Sequence, residues 1–142
     1  MKQLFKTSCY PSLLIRFAVG LIFLSEGLQK YLVDSVGIGR FTQIGFGNPA
    51  FWTYFTGCFE IVCGIFILLG LLTRVAAIPL LIIMITAFVT TKWPILMNKG
   101  FWAFAHEYRT DFAMLLLLIF LILYGGGKYS FDFKIYNSKQ PQ

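Results

Sequence analysis

The residues able to do chemistry here are ionisable side chains inside apolar stretches: Arg16, Glu26, Lys30, Glu60, His106, Glu107, Arg109 and Asp111. A charge at the centre of a spanning helix costs about 2.5–3.5 kcal/mol on insertion scales, so such groups mark a ligand, an ion or proton path, or an internal pair. Glu60 is the candidate catalytic group, as a proton donor or acceptor. Glu26, Lys30, His106, Glu107, Arg109 and Asp111 are the candidate substrate-binding residues. Plainer roles exist beside these. Glu26 and Lys30 lie four apart and can pair on one helix face. Arg109 can neutralise Asp111 or Glu60, and acidic groups in a first helical turn favour the helix dipole. His106, Glu107 and Asp111 match neither HExxH nor Glu-x-x-His spacing, so no metal is expected. Neither a Ser-His-Asp order nor a Gly-rich phosphate loop is present, which disfavours a covalent hydrolase.

The elements that position these groups follow from composition. Hydrophobic residues make up 58%, charged residues 13%, and mean hydropathy is +0.74 over 142 residues. Soluble chains carry about 25% charged residues. The net charge of +6 comes from Lys and Arg scattered at the ends of apolar runs, the pattern of a membrane protein and not of a nucleic-acid binder. Cys58 and Cys63 lie five apart in one apolar segment, about 140° round an ideal helix, and read as packing residues with Cys9. Lys2 and Lys6 before Leu13–Leu24 imitate a signal peptide. No small-x-small site follows, and the run continues to Glu26, Gln29 and Lys30, so it reads as a retained helix.

The expectation is an all-α integral membrane four-helix bundle forming one domain, 1–142. Its spans are about 11–32, 50–72, 75–91 and 107–124, each close to the length a bilayer core requires. Asp34–Pro49 and Ile95–Ala105 are expected as loops, Gly70–Arg74 as a tight connection. Pro79 falls early in the third span, and Gly125–Gly127 stops the fourth. Gly20 and Gly27, and again Gly57 and Gly64, are seven apart, which lets two helices approach closely and also fits an internal repeat. Both termini are expected in the cytoplasm of a bacterial plasma (inner) membrane, on the side of Lys2, Lys6, Arg74, Lys128, Lys134 and Lys139. Arg40, Lys92, Lys99 and Arg109 fall opposite. In that frame Glu60 lies about 15 Å from the outer end of its helix, near the midplane, and polar groups of three helices share the outer half.

Several motifs in order carry a family resemblance. They are Arg16, Gly20 and Phe23 followed by Glu26-Gly-Leu-Gln-Lys30; Glu60 and Gly64 followed by Gly70-Leu-Leu-Thr-Arg74 with Ala76; His106 to Ala113; and Gly127-Lys-Tyr-Ser-Phe-Asp132. From Leu14 to Asp132 the chain resembles the DoxX family, which includes DoxX-like and thiosulfate:quinone oxidoreductase small-subunit-like membrane proteins. Lys128 and Phe131 depart from that family's Arg and Leu. The resemblance implies a four-helix membrane bundle and a link to redox chemistry, beside a quinone- or sulfur-handling partner protein.

The leading expectation is therefore a subunit or accessory of a membrane redox system that handles quinone or a small sulfur compound, with no evident bound cofactor. Phe23, Phe59 and Tyr108 are candidates to wall a ring pocket, and Trp52 and Trp102 to lie near its opening. Whether the chain is itself catalytic stays open. The alternatives are a small anion or proton carrier, which would need to homo-oligomerise and would use Arg16 and Arg74 in an inner vestibule, and a non-catalytic scaffold for a partner. Lipid is the one certain surrounding; nucleic acid is not expected.

Overall fold

A computed structural model describes residues 9–138, so Lys2, Lys6 and Lys139 lie outside the described residues. These form α1 (Cys9–Leu32), α2 (Ile38–Ile44), α3 (Pro49–Leu69), α4 (Thr73–Ala87), a π-helical turn (Phe88–Lys92), α5 (Trp93–Lys99), α6 (Phe101–Tyr124) and α7 (Phe131–Ser138). No strand occurs among them. Three stretches are long and apolar enough to cross a membrane: Pro11–Leu32, Pro49–Leu69 and Thr73–Lys99. The 24-residue α6 matches them in length but carries Glu107, Arg109 and Asp111 in its first half.

α1 packs on α3, α3 on α4, α4 on α6, and α6 returns to α1. The α1–α3 seam is built on the spaced glycines. A Cβ at Gly20 would stand 2.9 Å from the Gly64 carbonyl oxygen, and one at Gly27 2.9 Å from that of Gly57. The helices therefore run antiparallel with their backbones nearly touching, which only glycine permits. Val19, Phe23, Cys63, Ile67, Ala77, Leu80 and Leu118 fill the common core.

Both expected loops contain helix. Asp34–Pro49 holds α2. Ile95–Ala105 is almost wholly helical, broken at Gly100, whose φ of 84° and ψ of 174° separate α5 from α6. The third span, expected to end at about 91, continues through Trp93-Pro94 to Lys99. Pro94 sits in the first turn of α5, where its missing N–H is no loss, and the preceding π-helical turn absorbs the change of winding. As a result α6 starts at Phe101, not at 107. His106 to Asp111 lie in its second and third turns, and no acidic residue occupies the first. The dipole role expected for Glu107 and Asp111 is thereby removed.

The end of the molecule opposite that break is held by Arg16. Its guanidinium donates from Nε to the Ile67 carbonyl at 2.9 Å, from Nη2 to Leu68 at 2.7 Å, and from Nη1 to Gly126 at 3.2 Å and Tyr129 at 3.1 Å. It thus caps the last carbonyls of α3, where a cation also complements the helix dipole. Gly70, at φ 70°, ends α3; a Cβ there would meet the Arg16 guanidinium at 2.6 Å. Asp132 accepts from the Leu72 and Thr73 amides at 2.6 and 2.9 Å, capping α4 from a distant part of the chain. Ser12 donates to the Gly125 carbonyl at 3.0 Å. The motif residues Arg16, Gly70–Arg74 and Gly127–Asp132 thus form a structural latch. Arg16 is 2% exposed and does not line the groove that Arg74 borders at this end.

Candidate functional site

At the other end the seam continues into a charged contact. Lys30 stands three residues beyond Gly27, and Glu60 three beyond Gly57. Cβ atoms tilt toward a helix's own N-terminus. In an antiparallel pair the two side chains therefore lean toward each other, and Lys30 Nζ pairs with Glu60 Oε2. Their side chains are 12% and 4% exposed. Lys30 bypasses Glu26, the expected i–4 partner, which stays exposed with no hydrogen bond or ion pair among the described residues.

This pair forms part of the wall of a cavity of about 590 Å³ between the α1–α3 pair and the α4–α6 pair, a volume within the roughly 300–1,000 Å³ of small-molecule sites. Phe23, Ile82, Ile83 and Met114 are among its apolar lining. Arg40, Phe41 and Ile44 of α2 join Phe46, Trp52 and Phe55 around the rest. The rings form a connected set: Phe41–Phe46, Phe46–Trp52 and Trp52–Phe55 have centroids 5.5, 5.5 and 5.9 Å apart. Thr56, Thr86, Thr90, Thr91 and Thr110 add hydroxyls.

Of the residues expected to act, Glu26, Lys30, Glu60 and Asp111 come together on this cavity. Glu107 stands beside it through Lys92. His106 and Arg109 do not line it; both are exposed, and neither makes a hydrogen bond or ion pair among the described residues. Arg109 neutralises neither Asp111 nor Glu60. Phe23 lines the cavity, but Phe59 and Tyr108 do not; Tyr108 stacks on Phe104 at 5.1 Å. Trp52 lines it, whereas Trp102 is 84% exposed.

Lys92 escaped the sequence reading. The π-helical turn buries it, and its ammonium donates to the Glu107 carbonyl at 3.1 Å, with Asp111 and Glu107 carboxylates at 3.5 and 3.6 Å. The continuous helical stretch Thr73–Lys99, 27 residues long, places Lys92 inside the span and not on its flank. The charged residues on the cavity balance, Glu26, Glu60 and Asp111 against Lys30, Arg40 and Lys92. The lining therefore carries no surplus of either charge.

The model of the DoxX family matches residues 12–93, which covers the α1–α3 seam, Glu60 and Lys92 but stops short of α6 and the Gly127–Asp132 latch. An uncharacterized membrane protein of Mycobacterium tuberculosis is 52% identical over 130 residues, 86% of this chain and 80% of that protein. CatD of Bacillus subtilis, provisionally named an oxidoreductase, is 29% identical over 131 residues, 91% of this chain and 90% of its own. No solved structure matches. With three helices apolar and long enough to cross a bilayer, this chain is a membrane protein, and it belongs to the DoxX family.

Proposed function

We propose that the chain is a subunit or accessory of a membrane redox system and that its cavity receives a quinone-type ring. The observation that carries this reading is the buried Lys30–Glu60 pair in the wall of a chamber that aromatic and aliphatic side chains share with threonine hydroxyls and a few further charges. Lys30 would hold a ring oxygen. Glu60 would exchange the proton that accompanies electron transfer at that oxygen, while the electrons pass to or from a redox partner protein. The provisional naming of CatD as an oxidoreductase lends support. The balanced charges favour this ring over a small sulfur anion, and weigh against an anion carrier.

In this reading α6 is the fourth span. It runs from the cavity end, where Glu107 meets Lys92, back to the latch end, where Gly125 meets Ser12. Its two acidic residues, Glu107 and Asp111, share the Lys92 ammonium at the cavity, and the Glu107 side chain is largely exposed. The latch end, with Arg74, Lys128 and Lys134, is the cytoplasmic side of a bacterial plasma membrane, and carries both termini.

The test is saturable quenching of Trp52 fluorescence by ubiquinone or menaquinone in mild detergent, with Trp52→Phe as the control for site. Wild type should bind and Glu60→Gln should bind about tenfold more weakly, the worth of one hydrogen bond to a charged group. Equal binding by both would remove Glu60 from the site, and no saturable quenching would remove the ring.

A further inference from the structure

Lys92 is nine-tenths buried, at 9% exposed, and lines the same cavity as Lys30 and Glu60 from the turn that follows α4, while those two come from α1 and α3. An ammonium has three N–H donors. Only one is spent, on the Glu107 carbonyl at 3.1 Å. The nearest carboxylate oxygens stand at 3.5 and 3.6 Å, beyond the roughly 2.7–2.9 Å of a charged hydrogen bond. Lys30, by contrast, is in direct contact with Glu60. The two lysines of the chamber are thus in different states: one is engaged, and one is neutralised at a distance with donors to spare. The local winding explains how this arises. A π-helical turn inserted before Trp93 carries Lys92 into the bundle from the end of an apolar helix, and such turns recur at functional sites.

We propose that Lys92 is a ligand-binding ammonium that makes the chamber a two-pole site, selecting rings with polar atoms at opposite edges. One edge meets Lys30 and Glu60. The other accepts a hydrogen bond from Lys92, whose charge Asp111 and Glu107 balance without occupying its donors. This rests on the reading of the cavity as a ring site and adds which rings it takes: a para-dicarbonyl is held at both edges, a ring with one carbonyl at only one.

The experiment measures duroquinone by Trp52 quenching, and a ring of the same size and methylation with a single carbonyl by displacement of duroquinone. Wild type should prefer the dicarbonyl about tenfold. Lys92→Met, with an unchanged unfolding midpoint, should erase that preference by weakening the dicarbonyl alone. Should Lys92→Met fail to fold, Lys92→Gln, which is shorter and uncharged, should lose the same preference. A wild type without preference, or a Lys92 variant that keeps it, overturns the second pole while leaving the ring site standing. Failure of the wild type to bind duroquinone at all overturns the ring site as well.

Discussion

Lys30 reaches across the α1–α3 seam to Glu60 and passes over Glu26, one turn away on its own helix. Burial decides between the two carboxylates. Glu26 is exposed, while the Glu60 side chain is 4% exposed and has no other hydrogen-bonding partner among the described residues. A charge taken from water needs its counter-charge far more than a surface charge does.

That asymmetry predicts how the pair fails. Lys30→Met strands the Glu60 carboxylate and should cost about 3–5 kcal/mol of stability in detergent unfolding. Adding Glu60→Gln to Lys30→Met should recover a large part of the loss, because the stranded charge is gone. A double variant no more stable than Lys30→Met would mean that Glu60 is not carrying a buried charge in that background.

The pair depends on the glycines beside it. A Cβ at Gly27 would meet the Gly57 carbonyl oxygen at 2.9 Å and Glu60 Cβ at 3.1 Å. The carbonyl is backbone and cannot turn aside, so the helices must part. Gly27→Ala should cost about 1–3 kcal/mol, as overpacking does, and should weaken quinone quenching of Trp52 by displacing Glu60 from Lys30. Gly47→Ala, where nothing lies within 4 Å, should change neither. Matched effects at the two glycines would dissociate the seam from the site.

The parts legible in the sequence were those that repeat or that cost energy. Glycines at heptad spacing announced the seam, since only close helix approach requires them. A carboxylate deep in an apolar run announced Glu60. What escaped depends on winding and on distant contacts. Nothing local distinguishes a helix that ends at Trp93-Pro94 from one that takes a π-helical turn and continues, so Lys92 read as a flanking charge. Arg16 read as a candidate for chemistry because its four acceptors are carbonyls, which every residue carries and no motif displays. His106 and Arg109 were drawn in by their neighbours in sequence, although the helix turns them away from the cavity that takes Asp111.

The separation of latch and cavity yields the last prediction. Arg16 lies ten residues from Glu26 on the same helix, about 15 Å along its axis. It donates four hydrogen bonds to carbonyls of α3 and of the segment after α6. Arg16→Met leaves buried acceptors unsatisfied and should cost at least about 2 kcal/mol. Asp132→Ala removes the cap of α4 and should cost about 1–2 kcal/mol. It should also speed tryptic cleavage at Lys128, since Asp132 ties that segment to the α3–α4 turn through the Leu72 and Thr73 amides. Neither change touches a cavity-lining residue, so folded samples of both variants should bind quinone with wild-type affinity. Weakened binding in a folded Asp132→Ala protein would mean that the latch sets the spacing of the helices at the cavity end, and that the two ends of the molecule are mechanically coupled.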